Sequence, residues 1–74
     1  MSKTFSGKKI IKILCRNFGF YFVSQNGSHT KLRKSTSHGI VTTIVPVHKE
    51  LSIGIFHDIL EQAEVDVHDF FDKI

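Results

Sequence analysis

This sequence predicts an α+β domain of order α-β-β-β-α-α, with a small antiparallel three-stranded sheet and helices on one of its faces. Three observations predict it. Apolar residues recur at helical spacing near both ends, aromatic or β-branched runs fill the middle, and a turn dipeptide separates the first two of those runs. The 74 residues are expected to make one domain, 1–74, with little spare sequence for a second function. A chain this short buries only about 60% of the surface that it exposes unfolded, so every element must feed a single core.

The first helix lies between Ser6 and Gly19. Ile10, Ile11, Ile13, Leu14, Cys15 and Phe18 recur at three- and four-residue spacing, while Lys8, Lys9, Lys12 and Arg16 fill the other face. Ser6 caps its start and Gly19 ends it in the left-handed conformation. Phe20 to Ser24 is the first strand, and Asn26-Gly27 signals a two-residue type I′ hairpin into a second strand, Ser28 to Lys34. The polar stretch Ser35 to Gly39 leads to the third strand, Ile40 to Val45, which Pro46 stops because proline cannot donate to a ladder. Ser52 caps a second helix with Ile55, Phe56, Ile59, Leu60 and Ala63 on one side, and Gly54 is a costly residue in its first turn. Asp66 starts a short last helix in which Val67, Phe70, Phe71 and Ile74 are spaced to pack in the core. Cys15 is alone and reads as a small core residue of a reducing compartment. No signal-peptide block and no apolar run near the ~18 residues of a membrane span is present, so a soluble, cytoplasmic protein with no membrane partner is expected.

Charge divides the chain in two. From Met1 to Lys49 there are nine Lys or Arg and no Asp or Glu; from Glu50 onward there are seven acids and only Lys73. The net charge of +3 therefore hides a dipolar molecule whose basic half suits a polyanion. Within that half stands Gly27-Ser28-His29. Leu32 is the only apolar residue of the second strand and must face the core, which sends Thr30 and Ser28 inward and His29, Lys31 and Arg33 to the open face. Alternate residues on a strand lie about 6.6 Å apart, comparable to adjacent phosphates on a nucleic-acid backbone, so Lys31 and Arg33 can hold neighbouring phosphates beside His29. With the two-residue turn centred on Asn26-Gly27, Ser24 stands opposite His29, and Phe22 and Phe20 stand opposite Lys31 and Arg33 as stacking platforms for bases.

The ordered set of a basic first helix, Gly19-Phe20, Gly27-Ser28-His29, a basic second strand, Pro46-Val47-His48 and a helix near Gly54-Ile55 resembles the HicA toxins, small endoribonucleases of toxin–antitoxin modules. The resemblance spans nearly the whole chain and implies a fold like a double-stranded-RNA-binding domain. It also implies a catalytic role for His29 and a HicB-like antitoxin that masks it. Two positions depart from the pattern: Thr30 stands where a second histidine is common, and Ser24 where a basic residue is frequent.

Cutting a phosphodiester needs proton transfer from the nucleophile and to the leaving oxygen, and positive charge beside the phosphoryl oxygens. Histidine suits this near neutral pH, and RNA supplies its own nucleophile in the 2′-hydroxyl, so RNA is the expected substrate, mRNA in particular being what the resemblance implies, and no cofactor is needed. The histidines at 29, 38, 48, 57 and 68 show no metal-ligand spacing, and the basic half has no carboxylate for magnesium. The expected site is therefore His29, with Gly27, Ser28, Lys31, Arg33 and Lys34 binding RNA. His48, Lys8, Lys9 and Lys12 are possible accessories, although a structural turn histidine and a solvated helix face are the simpler readings of those four. His38 is a loop residue, and His57 and His68 are assigned no task. A non-catalytic RNA-binding module and a protein-interaction domain are the alternatives, separated from the first reading by RNA cleavage in EDTA and by a neighbouring antitoxin gene.

Overall fold

The computed structural model describes residues 4–74. Helix α1 spans Gly7–Asn17, strands β1 Tyr21–Asn26, β2 His29–Thr36 and β3 Gly39–Pro46, and helices α2 Ile53–Ala63 and α3 Val67–Phe71. The strands form one antiparallel sheet in the order β1-β2-β3, with the helices on one face. The expected α-β-β-β-α-α architecture is the one observed. No helix among the described residues is long and apolar enough to cross a membrane.

The expected caps are all present. The Ser6 hydroxyl accepts from the Lys9 N–H, the Ser52 hydroxyl from the Ile55 N–H, and the Asp66 carboxylate from the N–H groups of His68 and Asp69. Each thereby satisfies donors that a first helical turn leaves without partners. At the end of α1, Gly19 takes φ +77° while the Phe20 N–H reaches back to the Leu14 carbonyl.

The core lies between sheet and helices. Ile10, Ile13 and Leu14 of α1 meet Leu32 of β2, Val41 and Val45 of β3, and Phe56, Ile59, Leu60 and Ala63 of α2. Phe70 of α3 is fully buried edge-on to Phe56, at 5.4 Å between ring centroids, and faces Phe18 beyond α1. Thr43 is also fully buried, its hydroxyl 3.1 Å from the Ile59 carbonyl and 3.1 Å from Gln62 Oε1. That same amide oxygen accepts from the Ile44 N–H, so α2 also covers part of the free edge of β3. Cys15 packs at the rim of the core, and burial pushes its thiol pKa up, as suits a packing residue rather than a reactive thiolate.

Two core expectations need correction. Ile55 is 41% exposed, because it sits in the first turn of α2, ahead of the stretch that meets the sheet. Phe71 and Ile74 are also exposed: α3 is only 5 residues long, buries only Phe70 and packs Val67 against the rim of the core.

The chain crosses itself closely at Gly7. Its N–H donates to the His48 carbonyl at 2.9 Å, and a Cβ there would collide with the Pro46 carbonyl. Phe5 pairs with Leu51 as an isolated bridge just beyond, so the start of α1 is laced to the exit of β3. Gly7→Ala should destabilise the fold by about 1–3 kcal/mol, since backbone on both sides must shift. Gly54→Ala, where no atom stands within 4 Å of the added carbon, should stabilise it by about 0.5–1 kcal/mol through helix propensity. Urea unfolding of both variants checks the pair, and equal effects would contradict the close approach at Gly7.

Candidate functional site

β2 is the central strand, and its alternation decides what the sheet offers to solvent. Leu32 and Thr30 are buried at 0% and 3% exposure, whereas His29 is exposed and Lys31 and Arg33 are half-buried. The expected stripe of His29, Lys31 and Arg33 on the open face is therefore present. Cross-strand pairing sets their neighbours: Asn26 and Pro46 flank His29, Ser24 and Ile44 flank Lys31, and Tyr21 and Thr42 flank Arg33. The Arg33 Nε donates to the Thr42 hydroxyl at 3.3 Å, which holds the guanidinium over the sheet.

The hairpin register departs from expectation. Asn26 pairs with His29, so the turn is centred on Gly27-Ser28 rather than on Asn26-Gly27. Gly27 takes φ +61° and Ser28 has no positive φ, which is the pattern of a type II′ turn. A type I′ turn at Asn26-Gly27 would need positive φ at Asn26, whereas glycine first in a II′ turn confines that demand to the residue without a Cβ. Ser28 is consequently an exposed turn residue rather than an inward-facing one. Its carbonyl accepts the Val47 N–H at 2.6 Å, fastening the turn to the exit of β3.

The shift, together with a bulge at Val23, rearranges the aromatic residues. Phe22 stands opposite Leu32 instead of Lys31, and Phe20 lies before the strand and is buried at 4%. Neither shares the open face with the basic stripe. Tyr21 does: it stands opposite Arg33 and is 48% exposed. Its position follows from the bulge, which no local residue pattern announces.

Lys34 lies off the stripe. One residue after Arg33, it is directed to the other side of the sheet, its ammonium 5.4 Å from the centroid of the Phe20 ring. His48 is exposed next to Val47 and lines a cavity of about 300 Å³ with Ser6, Lys8 and Lys49. Lys9 and Lys12 lie on the exposed face of α1. With Lys8, Arg16, Lys73 and Ile74 they line a groove of about 470 Å³. Lys49 and Lys73 were not singled out in the sequence, because α3 brings Lys73 beside α1 across more than fifty residues of chain. His38 is in the β2–β3 turn, and His57 and His68 lie on exposed faces of α2 and α3. Among the described residues no group of three His, Cys, Asp or Glu stands close enough together to hold a metal ion.

The arrangement presents one imidazole at the head of a row of two cations, on a face that no helix covers. Cations so placed can meet successive phosphates of a chain, and the imidazole can exchange a proton with an atom bonded to one of them.

Residues 7–65 match the model of a family described as the HicA toxin of bacterial toxin–antitoxin. No curated protein matches the chain significantly.

Because His29 stands on the open face and fills no part of the core, His29→Ala should change the unfolding free energy by no more than about 0.5 kcal/mol. Thermal or urea unfolding beside wild type measures it, and a larger loss would make the imidazole a structural group.

Proposed function

Given that this chain belongs to the HicA family of toxin–antitoxin toxins, we propose that it is a metal-independent endoribonuclease, an mRNA interferase whose proton-transfer group is His29. The observation that carries this reading is the row His29, Lys31 and Arg33 on the open face of the central strand. Successive members of the row are about 6.6 Å apart, so an RNA strand laid along β2 brings one phosphate to His29 while its neighbours meet Lys31 and Arg33. Gly27 and Ser28 hold the turn that carries His29. Lys34, directed to the other side of the sheet, adds to the field rather than to the row.

In the proposed reaction the 2′-oxygen attacks the adjacent phosphorus and loses its proton to a base. The phosphorus–5′-oxygen bond breaks, and the departing 5′-oxygen takes up a proton. A 2′,3′-cyclic phosphate and a 5′-hydroxyl result. His29 transfers one of these protons, and Lys31 stabilises the charge that gathers on the phosphoryl oxygens. Tyr21, beside Arg33, offers the ring on which a neighbouring base stacks.

A toxin of such a module has an antitoxin partner. We place a HicB-like antitoxin on the open face of the sheet, where it would cover His29 and neutralise the cation row. Messenger RNA as substrate puts its action in the cytoplasm.

Cleavage by the purified protein should persist in EDTA and leave cyclic or 3′-phosphate ends; 3′-hydroxyl ends that vanish with chelation would overturn the mechanism. His29→Ala should lose about 10²–10⁴ in single-turnover rate while still binding RNA. In the same background, Lys31→Ala with Arg33→Ala should reduce the slope of log affinity against log salt by about 1.4 for single-stranded RNA, roughly 0.7 per lost contact. An unchanged slope would put the RNA elsewhere.

A further inference from the structure

Among the described residues, Arg33 is the member of the basic row whose head group is held by a hydrogen bond. Its Nε donates to the Thr42 hydroxyl at 3.3 Å across the pairing of β2 with β3, which occupies one guanidinium donor and leaves those on Nη1 and Nη2 for a ligand. The remaining fork is planar and matches a phosphate through two bonds at once. From the other side Tyr21 of β1 pairs with Arg33 and exposes its ring on the same face. Side chains at paired positions start about 4.5–5.5 Å apart, so one ligand can touch both. Neither Tyr21 nor Thr42 is a carboxylate, and the charge of Arg33 is not met by its strand neighbours. Lys31, flanked by Ser24 and Ile44, has neither a ring beside it nor a hydroxyl holding it.

We propose that Tyr21, Arg33 and Thr42 form a subsite for one nucleotide, remote from His29, in which Thr42 is the positioning residue that aims the Arg33 fork. The base lies on the Tyr21 ring and its phosphate sits in the fork. Arg33 is about 13 Å from His29 along β2, so the nucleotide held there is two linkages away from the one that is cut. The subsite therefore sets the register of the strand, and a substrate too short to reach it loses that contribution. The inference rests on the RNA-cleaving function proposed above and deepens it. An acidic protein segment would also satisfy Arg33, but a ring and a planar fork side by side match the two parts of a nucleotide.

The test uses chimeric oligonucleotides that carry a single ribonucleotide, so that one linkage alone has a 2′-hydroxyl beside it. One is a dinucleotide, and the other extends it by three deoxynucleotides on each side. All-deoxy strands of the same lengths, which cannot be cut through a 2′-hydroxyl, report binding in parallel. Thr42→Val keeps a β-branched side chain in the strand and removes the hydroxyl. It should lower kcat/KM and affinity for the extended strand by about 2–10-fold, leave the dinucleotide unaffected, and be rescued by Thr42→Ser. In an Arg33→Ala background Thr42→Val should have no further effect. Tyr21→Leu should weaken the extended strand by about fivefold or more, whereas Tyr21→Phe should preserve it. Unchanged values for Thr42→Val and Tyr21→Leu on the extended strand overturn the subsite. So does a Thr42→Val loss that is equally large for poly-glutamate, which has charge and no bases, because Arg33 is then a general anion contact. If wild type cuts neither chimera while the all-deoxy strands still show the Thr42 and Tyr21 dependence, the nuclease falls and the nucleotide subsite stands.

Discussion

The rest of this structure depends on the backbone contact between the start of α1 and the end of β3. At Gly7 the helix comes so close to Pro46 that no side chain fits, and the Gly7 N–H closes onto the His48 carbonyl. One residue away, the Val47 N–H closes onto the Ser28 carbonyl of the hairpin turn. Two hydrogen bonds thus join three segments distant in sequence: the first helix, the β1–β2 turn and the exit of β3. Without that junction His29, His48 and Lys8 would sit on separate elements; with it they belong to one end of the molecule. A site built on backbone contacts of this kind is held independently of the side chains that do its chemistry.

The sheet supplies the second constraint. A three-stranded sheet in a chain of this size can be covered on one face only, and here the helices take the face of Leu32, Val41 and Val45. The opposite face must then carry side chains that tolerate water, and on β2 these are His29, Lys31 and Arg33. Mutually repelling cations contribute nothing evident to stability, and a small domain has little to spare. Their concentration on an uncovered face is intelligible if a polyanion or an oppositely charged partner neutralises them. The exposed acids of α2 and α3, including Asp58, Glu61 and Asp69, complete a charge separation that orients the molecule as it approaches such a ligand.

β1 stands apart from this economy. It is an edge strand exposed along most of its length, with Phe22 57% exposed on the helix side of the sheet. The bulge at Val23 interrupts the regular ladder, a device that discourages pairing between copies at an open edge. The same bulge turns Tyr21 to the open face beside Arg33, so one irregularity shapes both the edge and the site.

What could be read without coordinates was whatever depends on residues near one another in the chain. The helices announced themselves through periodicity and through Ser6, Ser52 and Asp66, because a cap bonds to an N–H two or three residues away. Leu32 was enough to set the parity of β2 and so to put His29, Lys31 and Arg33 on one face. The pairing of β1 with β2 was not legible, since Asn26-Gly27 and Gly27-Ser28 both make acceptable turns and the bulge at Val23 has no local signal. That ambiguity misplaced Phe20, Phe22 and Ser28. The exposure of Ile55 and the position of Lys34 over Phe20 likewise follow from where the helices and strands end against one another. Lys8 shared between two cavities, and Lys73 facing α1, depend on contacts between opposite ends of the chain. Local hydrogen bonds and alternation act over a few residues and leave their mark in the sequence. Register and the meeting of distant elements are settled by packing of the whole core, and no single stretch of sequence contains that information.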